Sequence, residues 1–303
     1  MKVRIVISEF MDQPAVDRLA AHHEVDYRPR LVDDAAALAS ALPGARAWIV
    51  RNRTPVRGSL LHAAGDVRVI GRLGVGLDNI DVDACSQRGI EVIPATGANA
   101  ESVAEYVVSA AIVLLRGAFF STRAVEAGTW PRQTLSQGRE AAGKVMGIVG
   151  YGNIGQLTAR KAEALGMRVV SYDTQVPSAT TRDLDALLVQ SDVVSLHLPL
   201  TPETRGLLGA ERLGRMKRDA VLINTARGGI VDEAALAAML REGRLGGAAL
   251  DVFEHEPLGA GSPLAGAPRL LLTPHIAGVT VESNERVSAF IAERVAAALE
   301  RLA

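Results

Sequence analysis

Three polar side chains in the last third of the sequence come directly after short apolar runs that are typical of β-strands. They are Arg227, Glu256 and His275, and the runs before them cover residues 220–224, 248–252 and 270–273. An imidazole that titrates near neutral pH can take up and release a proton, and a guanidinium can bind a carboxylate through paired hydrogen bonds. These residue types at strand ends predict proton transfer coupled to hydride transfer on a 2-hydroxy acid.

Each of the three side chains has its own predicted role. His275 is the predicted base that takes the proton of the C2 hydroxyl, and Arg227 is predicted to bind the substrate carboxylate. Glu256 is predicted to hydrogen-bond the second ring nitrogen of His275, and it is favoured over Glu254 because a proline follows it and restricts its backbone. His197 is the rival histidine, and it is predicted to be structural or to face the cofactor.

A glycine-rich turn in the middle of the chain predicts a dinucleotide site. The run 145–149 leads into Gly-Tyr-Gly-Asn-Ile-Gly at 150–155, where the glycines allow a tight turn and a close approach of the pyrophosphate to a helix N-terminus. Asp173 ends the next strand-like run, where an acid accepts hydrogen bonds from the ribose hydroxyls and repels a 2′-phosphate, and no arginine occupies the next two positions. NAD is therefore predicted rather than NADP. The predicted cofactor-binding residues of this segment are Gly150, Gly152, Asn153, Ile154, Gly155 and Asp173.

Strand-like runs alternate with helical patterns along the whole chain, which predicts an α/β fold with parallel sheets. Four runs fall in the first third, at 3–7, 47–50, 67–70 and 91–93, and six follow at 145–149, 168–172, 193–196, 220–224, 248–252 and 270–273. A long helix is predicted from Ser102, with Glu105 completing a capping box, and residues 119–143 are predicted to form a surface excursion. The helical pattern at 281–302 is predicted to pack on the first domain.

The composition disfavours several classes of partner. Lysine and arginine total 33 and the acidic residues 34, without a block of like charge, so neither nucleic acid nor a membrane surface is expected as a partner. The apolar run at 107–115 is well short of the ~20 residues of a membrane helix. The N-terminus lacks the pattern of a signal peptide, and the single cysteine, Cys85, fits a reducing compartment. A cytoplasmic protein with a small-molecule ligand and no bound metal is predicted.

Four segments together resemble the D-isomer-specific 2-hydroxyacid dehydrogenase family, which includes 3-phosphoglycerate dehydrogenases. The motifs lie at 150–155, at 224–229 (Asn-Thr-Ala-Arg-Gly-Gly), at 250–253 with 256–257 (Leu-Asp-Val-Phe and Glu-Pro) and at 273–275 (Thr-Pro-His). The resemblance implies two Rossmann-like domains: a doubly wound parallel-sheet NAD-binding domain, residues 99–280, inserted into a flavodoxin-like substrate domain, residues 1–98 and 281–303. It also implies an NAD-dependent enzyme with Arg227, Glu256 and His275 as catalytic residues, and a homodimer formed around the long helix and the excursion after it.

The resemblance also implies further contacts with the cofactor. The family's aspartate matching Asp251 holds the nicotinamide carboxamide, and Thr204, Thr225 and Ala226 match positions that contact the cofactor. Long phosphoglycerate dehydrogenases carry regulatory domains after the catalytic part, whereas this sequence ends at Ala303, so feedback control by serine through such a domain is not expected.

Two segments of the first domain bear on the substrate. The loop matching Gly74, Val75 and Gly76 binds the substrate carboxylate through backbone amides in this family. Arg51 resembles an arginine that binds phosphate in phosphoglycerate dehydrogenases, and Arg53 beside it suggests a second anionic group on the substrate. The predicted function is hydride transfer between NAD(H) and a small 2-hydroxy or 2-oxo acid of the 3-phosphoglycerate/phosphohydroxypyruvate type.

Three alternatives to this substrate assignment stay open. Residues 50–54, 71–81 and 276–286 also resemble the sulfolactate dehydrogenase branch, in which the second anionic group is a sulfonate. A hydroxypyruvate or glyoxylate reductase is the second alternative. The non-enzyme alternative is a corepressor that senses NADH on the same scaffold.

Overall fold

A computed structural model describes residues 2–302 of the chain. The chain divides into two compact units, which are Met1–Asn99 with Val279–Ala303 (unit 1) and Ala100–Gly278 (unit 2). The resemblance in the sequence places the corresponding divisions at residues 98/99 and 280/281. Each unit has its own sheet and its own hydrophobic core.

The regular elements are numbered in chain order. The strands are β1 Arg4–Ile7, β2 Glu24–Tyr27, β3 Ala45–Val50, β4 Val69–Arg72, β5 Glu91–Pro94, β6 Val145–Val149, β7 Arg168–Tyr172, β8 Val193–Leu196, β9 Val221–Asn224, β10 Gly247–Leu250 and β11 Leu270–Leu272. The helices are α1 Gln13–His22, α2 Ala35–Ala41, α3 Gly58–Ala63, α4 Val82–Gln87, α5 Ala100–Arg116, α6 Thr122–Glu126, α7 Arg132–Leu135, α8 Asn153–Ala164, α9 Leu184–Gln190, α10 Ala210–Arg215, α11 Glu233–Arg241 and α12 Val281–Arg301.

The sheet of unit 1 is parallel and has the strand order β2-β1-β3-β4-β5, which is the flavodoxin-like order. Alternate residues of β1 point to opposite faces, so Ile5 and Ile7 pack with α1 and α12 while Val6 packs with α2 and α3. The strand order reverses between β1 and β3. The residues after these two strands, Glu9 and Arg51, therefore lie where ligands bind in open α/β sheets.

The sheet of unit 2 is also parallel, with the order β11-β10-β9-β8-β6-β7. After β7 the chain makes a single parallel bridge, Tyr172 to Thr181, at the place where a doubly wound sheet would have a further strand. The chain then crosses to β8 on the other side of β6, so the switch point lies between these two strands. The α/β class with two parallel-sheet domains that the sequence predicts is confirmed.

Aspartates begin many of the helices. Asp34, Asp81, Asp183 and Asp232 each accept a hydrogen bond from a backbone N–H in the first turn of α2, α4, α9 and α11. Such caps satisfy amide groups that the helix itself leaves unpaired. Thr280 and the serine three residues later form a reciprocal capping box at the start of α12.

Two local predictions differ from the structure. Helix α5 begins at Ala100, so Ser102 is a buried residue inside the helix and the capping box predicted with Glu105 is wrong. Strand β2 was not predicted, because its sequence Glu-Val-Asp-Tyr lies at the edge of the sheet and is only half-buried. Among the described residues no single helix is long and apolar enough to cross a membrane; Ala100–Arg116 and Ala118–Glu126 meet that criterion only as a pair bent by 65°.

Candidate active site

The loop after β11 holds His275 in a left-handed backbone conformation, with φ of 55°. Its N–H donates to the carbonyl oxygen of Asp251 over 2.8 Å. The buried carboxylate of Asp251 accepts three further bonds, from the Thr273 hydroxyl at 2.6 Å and from the N–H groups of Ile276 and Ala277 at 2.8 Å each. Asp251 therefore fixes the backbone on both sides of the histidine.

The imidazole of His275 is paired with Glu256. Its Nδ1 lies 2.8 Å from Oε2 of Glu256, whose Oε1 accepts the N–H of Phe253 at 3.1 Å. A carboxylate can only accept, so Nδ1 carries the proton and Nε2 is left to exchange a proton with a substrate. No hydrogen bond joins Glu254 to His275 within residues 2–302. The structure thus brings together the histidine and the carboxylate that the sequence pairs.

Arg227 lies on a loop whose backbone is hydrogen-bonded to the side chain of Asn224. The buried Asn224 side chain accepts the N–H of Ala226 and donates to the carbonyl of Arg227, both at 3.0 Å. The next residue, Gly228, packs on the backbone of Phe253 so closely that a Cβ there would overlap the Phe253 carbonyl. Only glycine allows this approach. The loop of Arg227 and the loop of Glu256 are therefore joined directly through their backbones.

The glycine-rich turn has the geometry of a dinucleotide cradle. Gly150 has φ of 97°, and a Cβ on it would lie 2.6 Å from the carbonyl oxygen of His197 on the neighbouring strand end. A Cβ on Gly155 would overlap the Gly150 carbonyl, so this glycine lets α8 pack on β6. In contrast, a Cβ on Gly152 would meet no atom within 4 Å. The space above Gly152, in front of Asn153 and Ile154 at the start of α8, suits a pyrophosphate.

Asp173 follows β7 beside this turn. Its carboxylate accepts the N–H groups of Tyr151, Gln175 and Val176 at 2.7–3.0 Å. Burial opposes its ionisation, but these three bonds and the charge of Arg182 outweigh burial, so the pKa of Asp173 lies below its usual value. Arg182 donates to the Asp173 carbonyl oxygen. Sequence reasoning missed this arginine because it lies nine positions after the aspartate.

The other predicted cofactor contacts divide into two kinds. The Thr204 hydroxyl is occupied within its own turn, since it donates to the Pro199 carbonyl and accepts the N–H of Thr201. The Thr225 hydroxyl oxygen is buried and has no hydrogen-bond partner among residues 2–302. A buried hydroxyl without a partner is costly, so a ligand that bonds to it would relieve that cost. Ala226, next to it, is buried.

His197, the rival histidine, has a structural environment. Its Nε2 lies 2.9 Å from the hydroxyl of Ser195 on the same strand end. Burial lowers the pKa of His197 to about 4, so the ring is neutral at physiological pH. A ring that stays neutral in this way is poorly suited to donate a proton to substrate.

Tyr106 was not singled out in the sequence, although it touches the histidine loop. Its hydroxyl lies 2.7 Å from that of Thr273. Because Thr273 donates to Asp251, its oxygen must accept from Tyr106. Burial raises the pKa of Tyr106, the bond with Thr273 opposes this shift, and the tyrosine stays protonated as a donor. A chain of three hydrogen-bonded side chains thus runs from α5 to the histidine loop.

The predicted substrate residues of unit 1 lie on two loops. Gly74 has φ of 151°, a backbone conformation that other residues rarely adopt, and the Arg72 guanidinium lies where its Cβ would be. The N–H groups of Val75 and Gly76 donate to no group within the described part of the chain, which leaves them available to a carboxylate. Arg51 follows β3, and the loop after it is held by Glu9, another residue that sequence reasoning missed.

Comparisons with known proteins agree with this geometry. Residues 108–277 match the model of the D-isomer specific 2-hydroxyacid dehydrogenase NAD binding domain. An (S)-sulfolactate dehydrogenase from Chromohalobacter salexigens is 53% identical over 97% of this chain and 98% of that relative. A D-3-phosphoglycerate dehydrogenase from Mycobacterium leprae is 39% identical over 97% of this chain, and the chain spans 56% of that longer relative.

The match extends to three dimensions. The crystal structure of the TT0316 protein from Thermus thermophilus superposes with a TM-score of 0.90 and 36% identity, covering 98% of this chain and 97% of that protein. The family model covers more than half of the chain and falls on the unit that carries the glycine turn and the His275–Glu256 pair. The chain belongs to the D-isomer-specific 2-hydroxyacid dehydrogenase family, and it is an NAD-binding oxidoreductase.

Proposed function

We propose that this enzyme interconverts sulfolactate and sulfopyruvate with NAD(H). The loop after β3 supports a substrate whose second anionic group carries a single charge. Arg51 makes no ion pair there among the described residues, whereas Arg53 is paired with Asp33 at 2.6 Å. One unpaired arginine matches the single charge of a sulfonate. The 53% identity to a sulfolactate dehydrogenase favours the same substrate.

In the proposed reaction each catalytic side chain keeps the role that its geometry suits. During oxidation Nε2 of His275 takes the proton of the C2 hydroxyl, and Glu256 at Nδ1 stabilises the positive imidazolium that results. Arg227 binds the substrate carboxylate with its planar fork. NAD⁺, when bound, would supply the acceptor for the C2 hydride. In the reductive direction the protonated His275 returns its proton to the carbonyl oxygen.

Further predicted site residues are assigned to the cofactor and the substrate. Gly152, Asn153 and Ile154 would face the pyrophosphate of NAD at the start of α8, and Asp173 would accept hydrogen bonds from the adenosine ribose hydroxyls. The Asp173 carboxylate, ionised through its three amide donors, repels a 2′-phosphate, so NAD is the proposed cofactor over NADP. Val75 and Gly76 donate their N–H groups to the substrate carboxylate.

A substrate screen tests the proposal. NADH oxidation is followed with sulfopyruvate, phosphohydroxypyruvate, hydroxypyruvate, glyoxylate and pyruvate, and kcat/KM is expected to be highest for sulfopyruvate. A higher value for phosphohydroxypyruvate would replace sulfonate by phosphate as the second anionic group. NADH binding without turnover of any of the five acids would favour the corepressor instead. Repeating the best reaction with NADPH tests the cofactor assignment.

We also propose a homodimer and a cytoplasmic location. The excursion after α5 exposes Phe119 and Trp130, the latter to 75%, and exposed aromatic side chains in one segment are typical of a protein interface. Replacing Trp130 by glutamate is expected to shift the particle mass from two chains toward one, as measured by light scattering. The single buried Cys85 favours a reducing compartment, which fractionation of the source cells would test.

A further inference from the structure

The loop after β3 presents two arginines in different electrostatic surroundings. Arg53 donates to Asp33 at 2.6 Å and is mostly exposed to solvent, so its charge is already compensated. Arg51 is half-buried, and its guanidinium makes one hydrogen bond, from Nη2 to the side-chain oxygen of Asn284 at 2.8 Å. Its other N–H groups have no partner among residues 2–302.

The carboxylate of Glu9 makes no ion pair with the Arg51 guanidinium among the described residues. Glu9 is buried, and its two oxygens accept the backbone N–H groups of Arg51, Arg53 and Thr54 at 2.8–3.1 Å. The carboxylate of Glu9 therefore stabilises the backbone of the loop. Burial lowers the pKa of Arg51 and the charge of Glu9 opposes that shift, which leaves a partly desolvated cation with free donors. The ring of Phe10, 5.9 Å from the guanidinium carbon, gives this cation a further neighbour.

Asn284 lies in the first turn of α12 and completes the surroundings of Arg51. A guanidinium has donors only, so the asparagine must turn its oxygen toward Arg51. The amide NH₂ group then faces away from the guanidinium, and it donates to no group within the described residues. Arg51 and Asn284 together offer several N–H donors and one positive charge, and the Asn284 oxygen is bonded to Arg51.

We propose that Asn284 is a specificity-determining residue, which together with Arg51 forms a distal site for a monoanionic, acceptor-only group. This inference rests on the proposed function, because that group is the sulfonate of sulfopyruvate. A sulfonate carries one negative charge and accepts hydrogen bonds through three oxygens. A phosphate ester carries about −1.5 to −2 at neutral pH, which a single arginine and a neutral amide balance less well. Asn284 thus selects sulfonate over phosphate, and Arg53 takes no part.

Substitutions at Asn284 test the inference through a ratio of rates. Asn284→Asp keeps the size of the side chain but places a carboxylate on Arg51. The ratio of kcat/KM for sulfopyruvate to that for hydroxypyruvate is expected to fall about 10- to 100-fold, the usual effect of losing a hydrogen bond to a charged group. Asn284→Ala removes both the amide donor and the oxygen that accepts from Arg51, and it is expected to lower the ratio about tenfold, the lower end of the same range. Glu285→Gln, at an exposed position of the same helix turn, is the matched control and should leave the ratio unchanged.

A substitution that adds charge tests the same site in the opposite direction. Asn284→Lys supplies a second positive charge, and it is expected to raise kcat/KM for phosphohydroxypyruvate relative to sulfopyruvate by about tenfold. Melting curves and NADH fluorescence titrations identify variants that are folded and bind the cofactor, and the ratios are compared among these. Competitive inhibition of the wild-type enzyme by sulfoacetate and phosphonoacetate gives an independent measurement, in which sulfoacetate is expected to bind more tightly.

The possible failures are distinguishable. If the wild-type enzyme turns over hydroxypyruvate as well as sulfopyruvate, the proposed function fails and the distal site with it. If the wild-type enzyme prefers sulfopyruvate and Arg51→Gln abolishes that preference while Asn284→Asp retains it, the substrate stands and the role of Asn284 is wrong. Loss of the preference in Arg53→Gln to the same extent as in Arg51→Gln would also overturn the inference.

Discussion

Two histidines follow strands of the same sheet in unit 2, and their surroundings differ in every respect that matters for proton transfer. His275 is 40% exposed, and its Nδ1 faces a carboxylate. His197 lies beside a serine hydroxyl, and burial lowers its pKa to about 4. Position at a strand end therefore does not decide which histidine can exchange protons. That ability depends on the partner of the second ring nitrogen and on access to solvent.

The largest effect that separates the two histidines is expected from their removal. His275→Ala should lower kcat about 10²- to 10⁴-fold, the usual result of deleting a general acid or base, while NADH affinity measured by fluorescence titration changes little. His197→Ala should cause a smaller loss of kcat and a lower melting temperature. Steady-state kinetics and melting curves of both variants check this contrast, and equal losses of kcat would remove the distinction.

The acid stability of the protein should depend on His197. Its folded pKa of about 4 lies below the unfolded value near 6.5, so the unfolded chain binds a proton more readily. The stability that neutral His197 contributes is present above pH 6.5 and is lost as the pH falls toward 4, a loss on the order of 2–3 kcal/mol. Melting temperatures from about pH 7 to about pH 4.5 should therefore fall less steeply for His197→Gln than for the wild type. Parallel curves would show that the neutral ring contributes nothing.

Glu256 is the carboxylate that His275 has beside it and His197 lacks. A substitution by glutamine removes its charge and keeps the size of the side chain. Glu256→Gln retains an acceptor for the Nδ1 proton but no longer stabilises the imidazolium. The proposed reductive reaction needs that cation, so its rate at neutral pH is expected to fall about tenfold. Steady-state kinetics of the reduction provide the measurement. Glu254→Gln is the matched control, and an equal loss of rate in that variant would assign the role to the wrong glutamate.

The smallest effect is expected from Tyr106, which supports only the loop of His275. Tyr106→Phe removes the donor to Thr273, and a lost neutral hydrogen bond predicts a fall in kcat of about threefold with KM for NADH unchanged. Tyr106→Leu removes the ring as well and should lower the melting temperature further. If Tyr106→Phe left kcat at the wild-type value while Tyr106→Leu lowered it, the ring rather than the hydroxyl would support the loop.

The sequence predicts best what lies close together in the chain. The glycine turn and the pair of Glu256 with His275 follow from local motifs, because strand ends of a parallel sheet collect on one edge. The capping box at Ser102 failed because Ser-x-x-Glu also occurs inside a helix, and the residues before it, Ala100 and Glu101, extend the helix. An edge strand such as β2 buries too little apolar surface to be recognised.

Contacts between distant parts of the chain explain the remaining omissions. Tyr106 and Thr273 are 167 positions apart, and Arg51 and Asn284 are 233 apart. No periodicity links such residues, so only the folded backbone brings them together. The pairing of Arg53 with Asp33 is of the same kind, and it is what separates two arginines that are equivalent in the sequence.

The left-handed backbone at His275 affects which substitutions the protein tolerates at Asp251. A non-glycine residue in this region is held at a cost of about 1–2 kcal/mol, and the four bonds to Asp251 and its carbonyl are what keep it there. In a saturation-mutagenesis library selected for growth on the enzyme's product, Asp251 should therefore tolerate as few replacements as the histidine itself.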